Sequence, residues 1–439
     1  MNKRIYIIVL FFAISNFASG QEIIWPLQKC LNIALENSID IKIKQLDILK
    51  AKKENYNPLL NLLPSVSLVG SHSYDFGSTI DPSTNGRVSS DIQYDNFYLN
   101  ANVSLLDFNT LTTNKKNKIA LEKSKVNSEV IAYEYKMQLL EKYFEVLYTQ
   151  ELAKIQKKQL VNTKYNLERI EKEVIIGKKA KSDLYDIQFS YSQEEKQILE
   201  TEQLFEFQKL QLFQFMNVTD EDFTNVVFQP YFLNENSQEI EPFSDQNIIS
   251  NPTIQLAELA YKSSIKDIAI QQSDNLPTVS AYYTLSTFYY NPLNQPDVAV
   301  TDFKAQIDNN QSQQVGFQLR VPVFNGFKNS RKIAASKIES EKYKLASEQE
   351  KIKIRKQMEQ EIARKKQYIK LSEKLNENLL LAEKSFKTTQ SKFLHDKVNA
   401  FEYTSVKNQL LSAEYNILKN DLLLQYISLK INLLQNNTL

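Results

Sequence analysis

Two long stretches of this chain, 110–176 and Lys328–Leu394, contain neither proline nor glycine over 67 residues each. Proline and glycine are the residues that most weaken a helix interior, so their absence favours two continuous helices of about 100 Å. In the first stretch, apolar residues recur at alternating spacings of four and three, as in a coiled-coil heptad. They are Val126, Val130, Tyr133, Met137, Leu140, Phe144 and Leu147. Helices of this length exceed any single globular core.

The two long stretches belong to an internal duplication. Four short motifs recur in the same order at offsets between 213 and 218 residues. They are Asn37-Ser38-Ile39 with Asn251-Pro252-Thr253, Leu63-Pro64 with Leu276-Pro277, Asp107-Phe108-Asn109 with Val323-Phe324-Asn325, and Gly177-Lys178-Lys179 with His395-Asp396-Lys397. A repeated order at a nearly constant offset predicts two structurally equivalent halves.

Each half is predicted to contain a helix, two strands, the long helix and a final helix. The first repeat is 21–216, with a helix from about residue 26 to 62, strands at about 65–76 and 92–107, and helices at 110–176 and 182–216. The second is 248–439, with a helix at about 248–274, strands at about 278–290 and 311–323, and helices at 328–394 and 400–434. The acidic, proline-containing segment 217–247 is interpreted as a linker with one short strand, Val226–Phe228.

The predicted strands alternate between apolar and polar residues. Along 97–105 the odd positions are apolar, while Tyr98, Asn100, Asn102 and Ser104 occupy the even ones. Along 315–323 the odd positions are again apolar, and they alternate with Gly316, Gln318 and Arg320 at even positions. Such a pattern is common in an ordinary soluble sheet with one wet face. The length of about ten residues also suits a tilted membrane-spanning strand, with a polar face toward a water-filled lumen.

Four membrane strands cannot close a barrel of useful width alone, so copies of the chain would have to pool their strands. Three copies would contribute 12 strands. On this interpretation Asn100, Asn102, Gln318 and Arg320 face the lumen, and Tyr74, Phe76, Tyr289 and Tyr290 belong to an interfacial aromatic belt.

The first 20 residues have the form of a secretory signal. Lys3 and Arg4 precede the apolar run 5–14, and Ala18-Ser19-Gly20 supplies small residues before a predicted cleavage at Gln21. An uncleaved membrane anchor is the weaker interpretation, because spanning a bilayer takes about 20 apolar residues. We therefore expect an exported protein.

Composition narrows the function classes. A single cysteine excludes an intramolecular disulfide framework, and a net charge of +1 argues against a nucleic-acid partner. No nucleophile elbow, phosphate loop, CxxC or metal-ligand cluster is present, so we expect no enzyme activity, cofactor or metal site.

Several motifs together resemble the outer membrane efflux protein (TolC) family over nearly the whole mature chain. They are the amphipathic start at Leu27, Leu31 and Leu35, the Leu-Pro pair before the first strand of each half, the segment 321–327 (VPVFNGF) and the turn segment 177–186 (GKKAKSDLYD). Their order and duplication carry the resemblance more than any one of them.

The resemblance implies a homotrimer in which a 12-stranded outer-membrane β-barrel continues into a periplasmic α-barrel of 12 helices. It implies a passive channel of a tripartite efflux or type I secretion system, in contact with outer-membrane lipid, a periplasmic adaptor and an inner-membrane pump. The alternative is a secreted or periplasmic coiled-coil structural or adaptor protein, which would not partition into membranes.

The resemblance also implies that the turns around Gly177 and His395 form the periplasmic tip. The family's charge pair across these turns would here be Asp183 with Lys397, although two solvated charges are an equal alternative. Relatives often carry two aspartates in the second turn. Here Phe401 and Thr404 stand in those places, with Glu402 between them, whereas Asp183 and Asp186 occupy the matching places of the first turn.

Overall fold

The structure is a computed structural model that describes residues 23–54, 60, 63–80, 85–89, 91–218, 225–230, 249–293 and 299–438. The predicted signal peptide and most of the predicted linker 217–247 lie outside these residues. The chain divides into two compact units. Unit 1 comprises Met1–Leu46, Lys125–Leu256 and Glu348–Leu439, and unit 2 comprises Asp47–Ser124 and Ala257–Ser347.

Most described residues are helical. In chain order the elements are β1 (Ile23–Trp25), α1 (Leu27–Asn37), α2 (Ile39–Glu54), β2 (Ser65–Asp75), β3 (Ser78–Ile80), β4 (Arg87–Ser89), β5 (Ile92–Leu106), α3 (Phe108–Ile175), α4 (Lys181–Phe215), β6 (Val226–Phe228), α5 (Pro252–Ser273), β7 (Thr278–Pro292), α6 (Phe303–Asn309), β8 (Ser312–Arg320), α7 (Lys328–Leu394) and α8 (Ala400–Asn436).

The two stretches without proline and glycine are continuous helices. Helix α3 has 68 residues and α7 has 67. The first predicted helix, in contrast, is interrupted at Ser38, which separates α1 from α2. The Ser38 hydroxyl accepts a hydrogen bond from the Ile41 N–H at 3.3 Å, so the serine starts a new helix. Asn251 does the same for α5, because its Oδ1 accepts from the Thr253 N–H at 3.0 Å.

The main core of unit 1 surrounds a two-stranded parallel ladder. Strands β1 and β6 pair from Ile23 with Val226 to Trp25 with Phe228. Gln150 of α3 holds the second strand: its Oε1 accepts from the Phe228 N–H and its Nε2 donates to the Phe228 carbonyl, both at 2.8 Å. This pairing links the start of the described chain to the inter-repeat segment, and the strand at 23–25 was not predicted.

Unit 2 contains a four-stranded antiparallel sheet in the order β2-β5-β7-β8. The two central strands come from different repeats, so the duplicated halves pair edge to edge. The last strand ends at Arg320, three residues before the predicted end at 323. Pro322 lacks a backbone donor, which explains why the ladder cannot continue through it.

The connection between β7 and β8 contains a short helix, α6, that was not predicted. Asp302 caps it by accepting from the Lys304 N–H at 3.1 Å, and Phe303 packs against Tyr289 with ring centroids 5.0 Å apart. Seven residues are too few for helical periodicity to stand out in a sequence.

Candidate functional site

Two turns in unit 1 each connect a long helix to the helix that follows it. The first of them, between α3 and α4, is built around Gly177. Helix α3 ends at Ile175, and Gly177 takes a left-handed conformation with φ +75°. The Lys178 N–H then donates to the Glu173 carbonyl at 2.8 Å, and the Gly177 N–H donates to the Val174 carbonyl at 3.0 Å. These bonds form a Schellman cap, in which glycine is the favoured residue because it has no Cβ.

The second turn, between α7 and α8, has the same pattern of hydrogen bonds around Asp396. The Lys397 N–H donates to the Lys392 carbonyl at 2.8 Å, and the Asp396 N–H donates to the Phe393 carbonyl at 3.3 Å. Asp396 has φ +57°, a conformation that aspartate tolerates better than most residues. The structural counterpart of Gly177 is therefore Asp396, whereas the sequence comparison had paired Gly177 with His395, one residue earlier.

The two turns are joined by ion pairs to the Asp396 carboxylate. The Lys178 Nζ lies 3.0 Å from Oδ2, and the Lys179 Nζ lies 3.1 Å from Oδ1. The hydrogen bonds from these two lysines hold the pKa of Asp396 below its ordinary value. None of these three residues was among the predicted gate residues, although all three lie within the repeated turn motif.

The predicted charge pair between Asp183 and Lys397 is not formed. Asp183 Oδ1 instead accepts from the Ala400 N–H at 3.3 Å, and its Oδ2 lies 3.9 Å from the Lys179 Nζ. Among the described residues, Lys397 has no ion-pair partner. Asp183 thus satisfies a free donor at the start of α8, where a negative charge is favourable.

The other predicted gate residues take no part in the contact between the turns. His395 donates its backbone N–H to the Ser391 carbonyl at 3.2 Å within the end of α7. The Glu402 N–H donates to Asn399 Oδ1 at 2.8 Å, and the Glu402 and Asp186 residues are exposed.

An aromatic cluster lies directly under the turns. The rings of Phe393 and Tyr403 stack with centroids 4.4 Å apart, and both residues are fully buried. The Arg169 guanidinium lies 4.8 Å from the Phe393 centroid, and Asn166 Nδ2 donates to the Tyr403 hydroxyl at 3.0 Å. Burial raises the pKa of Tyr403 to about 12, so the hydroxyl stays neutral. The sequence offered no signal for this cluster beyond two aromatic residues flanking a turn.

In unit 2, the strand register separates polar from apolar side chains. Directly paired residues point to the same face of a sheet, and the pairs that contain the four predicted lumen residues all lie on one face. These pairs are Asn100 with Thr284, Asn102 with Tyr282, Gln318 with Ser280 and Arg320 with Thr278. The opposite face carries Val66, Leu68, Val315, Phe317 and Leu319, which are all exposed.

Two further findings bear on the chemistry. Among the described residues, no group of three or more histidine, cysteine, aspartate or glutamate side chains is placed to hold a metal ion. No helix in the described part of the chain has the length and hydrophobicity needed to cross a membrane.

Several solved structures share this fold, and outer-membrane channels are among them. CusC, whose structures describe folding and transmembrane channel formation, matches with a TM-score of 0.78 at 14% identity, over 93% of this chain and 91% of that one. The CmeC outer membrane channel of Campylobacter jejuni matches with a TM-score of 0.77 at 13% identity, over 93% and 85%. The outer membrane protein VceC of Vibrio cholerae matches with a TM-score of 0.75 at 11% identity, over 93% and 96%. At these identities the likeness concerns the fold.

A sequence match points to a family. No curated protein matches the chain. The family model described as outer membrane efflux protein matches residues 244–435, which cover almost all of the second repeat. The described part of the first repeat contains the equivalent helices and strands, and the fold is that of the outer-membrane channels. The second repeat of this chain therefore matches the outer membrane efflux protein family, and this match supports a location in the outer membrane.

Proposed function

We propose that this chain is one subunit of a trimeric channel that passively conducts substrates from the periplasm to the exterior. The observation that carries the proposal is the sheet of unit 2, which has one apolar face and one polar face. The exposed fractions of Val315 and Phe317 on the apolar face are 80% and 78%. Such a surface is costly in water and favourable in lipid, while the opposite face suits an aqueous lumen.

The free edges of the same sheet support assembly with other copies of the chain. Strands β2 and β8 are the outer strands, so each leaves one row of backbone donors and acceptors unpaired within the sheet. Unpaired backbone groups are not tolerated in lipid, and closing the sheet with other copies removes both edges. Three copies yield the 12-stranded barrel that the family resemblance implies.

Helices of unit 1 also have apolar surface that other copies would cover. Helix α4 carries exposed Tyr185, Phe189, Leu199 and Phe207, and the part of α7 in this unit carries exposed Ile352, Leu371 and Leu380. Contacts between α4 of one copy and α7 of the next would bury both sets. Repeated around three copies, such contacts support a 12-helix periplasmic barrel.

The two turns are the proposed periplasmic entrance. The ion pairs from Lys178 and Lys179 to Asp396 join them, and Asp183, Asp186, Glu402 and Lys397 contribute charge around them. The family match supports contact with a periplasmic adaptor and an inner-membrane pump, as part of a tripartite efflux or type I secretion system. In this proposal residues 1–20 are removed on export.

Cell fractionation tests the proposal most directly. We expect the protein in the outer-membrane fraction, beginning at Gln21 by mass spectrometry, and migrating as a heat-sensitive trimer on denaturing gels. Purified trimers should conduct ions across planar bilayers. Recovery of a monomer in the soluble periplasmic fraction would overturn the channel and favour a coiled-coil structural or adaptor protein.

A further inference from the structure

The apolar face of the sheet in unit 2 ends before its strands do. The strand ends that lead to the helices of this unit are at Leu106, Thr278 and Arg320. Counted from this end of the sheet, the face first carries only aliphatic and aromatic residues and Gly70. Each strand then reaches its first polar residue on this face. We call these residues the polar line, and they are Gln313 of β8, Thr287 of β7, Asp95 of β5 and His72 of β2.

The polar line is inclined to the strands. Along β7 it passes position 285 opposite Gln313, position 287 at Thr287 and position 289 opposite Asp95 and His72. From 285 to 289 it climbs by four residues over three strand spacings, about 13 Å over 14 Å, which is an inclination of about 43°. Strands of outer-membrane barrels tilt by about 35–45°, so in such a barrel the polar line is parallel to the membrane plane.

Two residues of the polar line form an ionisable pair. His72 Nδ1 contacts Asp95 Oδ1, and Gln93 Nε2 donates to Asp95 Oδ2 at 3.1 Å. The side chain of Asp95 is 10% exposed and that of His72 is 53% exposed. Ionisable groups are costly in hydrocarbon, because no water is present there to solvate their charged forms. The pair therefore favours a position outside the acyl chains of the bilayer.

Helix α6 covers the polar line where β5 and β7 cross it. The Phe303 ring lies 5.0 Å from the Tyr289 ring and 6.4 Å from the Phe97 ring, measured between centroids. The Thr287 hydroxyl donates to the Ile307 carbonyl at 2.7 Å. All three sheet residues belong to the apolar face, so α6 lies on that side of the sheet. Phe303 itself remains 47% exposed.

Side chains of α6 also replace a missing strand. Strand β8 begins at Ser312, and beyond that level the backbone edge of β7 has no ladder partner in the sheet. Gln306 Oε1 accepts from the Tyr290 N–H at 3.0 Å, and its Nε2 donates to the Tyr290 carbonyl at 2.9 Å. Asn310 Nδ2 donates to the Phe288 carbonyl at 2.9 Å. These bonds satisfy the edge and fix α6 on the sheet.

We propose that the polar line is the outer boundary of the lipid hydrocarbon on this protein, and that α6 is an interfacial helix in contact with the lipid headgroups of the outer leaflet. This inference rests on the proposed channel function, because it assumes that the apolar face meets lipid. Tyr74 and Tyr289 lie on this face at or just beyond the polar line, as an interfacial aromatic belt requires. Tyr290 lies on the opposite face, so the inference removes it from that belt.

Tryptophan fluorescence in vesicles of phosphatidylcholine brominated at two depths tests the boundary. Trp25 is the sole tryptophan of the chain and is fully buried, so the wild-type protein supplies a constant background. Phe317→Trp lies four residues from Gln313, about 10 Å inside the polar line for a tilted strand. Bromines near the chain ends should quench it about twofold more than bromines near the headgroups. Phe303→Trp should show the reverse order.

Strand β2 repeats the comparison without touching α6. Leu68 and Tyr74 are both exposed on the apolar face, on either side of His72. Leu68→Trp should be quenched more by the deep bromines, and Tyr74→Trp more by the shallow ones. Circular dichroism verifies that each variant is folded.

Gln318→Trp is the matched control for Phe317→Trp, because it is the next residue on the polar face, and neither lipid should quench it. Deep bromines quenching Phe303→Trp or Tyr74→Trp as strongly as shallow ones, or no quenching of these variants by either lipid, would overturn the boundary. A folded Phe317→Trp that neither lipid quenches would instead refute the lipid-facing sheet of the proposed channel.

Discussion

At the scale of single residues, the two turns differ most in their left-handed residue. Gly177 occupies this conformation without steric cost, whereas Asp396 tolerates it and uses its carboxylate to hold two lysines of the other turn. One turn therefore contributes a relaxed backbone and the other contributes the charge. A glycine at position 396 would ease the backbone but would remove the ion pairs.

Gly177→Val tests the backbone requirement. A β-branched residue with positive φ is strained, so we expect the free energy of unfolding to fall by about 1–2 kcal/mol. Gly177→Asn is the matched control, because asparagine adopts this conformation more readily, and it should cost less. Thermal and denaturant unfolding of the two variants measure the difference, and equal losses would contradict the argument.

Asp396 predicts a dependence on pH. The pKa of Asp396 is lower in the folded protein than its ordinary value of 3.8. The ionised carboxylate therefore stabilises the contact between the turns above that pH, and this stabilisation is lost as the pH falls toward the folded pKa. We expect channel opening in planar bilayers to increase on acidification through this range. Asp396→Asn should show more opening already at neutral pH, and Glu200→Gln, an exposed carboxylate on α4 away from the turns, should behave as wild type. An acid response that persists in Asp396→Asn would assign it to other groups.

At the scale of elements, the helices of unit 1 are held by a buried charge pair where their interior is polar. Lys407→Met should lower the free energy of unfolding by about 3–5 kcal/mol, because it leaves the Glu194 carboxylate buried and unpaired. Adding Glu194→Gln should recover much of that loss. Denaturant unfolding of both variants measures this, and a double variant as unstable as Lys407→Met would contradict the charge argument.

The two faces of strand β8 allow a matched comparison in the membrane. Phe317 lies on the apolar face near the middle of the strand, and Gln318 lies on the polar face beside it. Phe317→Lys should disfavour membrane insertion by about 2–4 kcal/mol, because the ammonium would meet lipid. Gln318→Lys should insert almost as wild type. Folding yield into lipid vesicles measures both, and equal yields would argue against a lipid-facing apolar side.

At the scale of the whole molecule, the proposed trimer turns the polar faces of three sheets toward one lumen. Arg320 is paired with Thr278 at the end of β8 and would add a ring of three positive charges. Arg320→Ala should shift the permeability ratio of the channel toward cations by about twofold, since fixed charge biases ion selection. Gln318→Ala is the neutral control. Unchanged selectivity in Arg320→Ala would remove this residue from the lumen.

The long helices and the alternating strands could be predicted because they depend on local sequence. The absence of proline and glycine marks α7 from Lys328 to Leu394, and the alternation along β5 and β8 separates residues that the structure also separates by face. Asn37-Ser38-Ile39 was recognised only as part of the duplication, and a continuous helix was expected where Ser38 interrupts it. A side-chain cap inside an otherwise helical pattern has too weak a signal to reveal such a break.

What the sequence by itself determined about this protein is its repeated set of elements and the match of its second repeat to the outer membrane efflux protein family. Only the tertiary structure decided which residues meet. Asp396 rather than Lys397 makes the ion pairs between the turns, Lys407 meets Glu194 across helices, and Ile23–Trp25 pairs with Val226–Phe228. The physical reason is that periodicity arises within one element, whereas these contacts depend on the relative register of elements far apart in the chain. A displacement of one residue, as between His395 and Asp396, changes the partner.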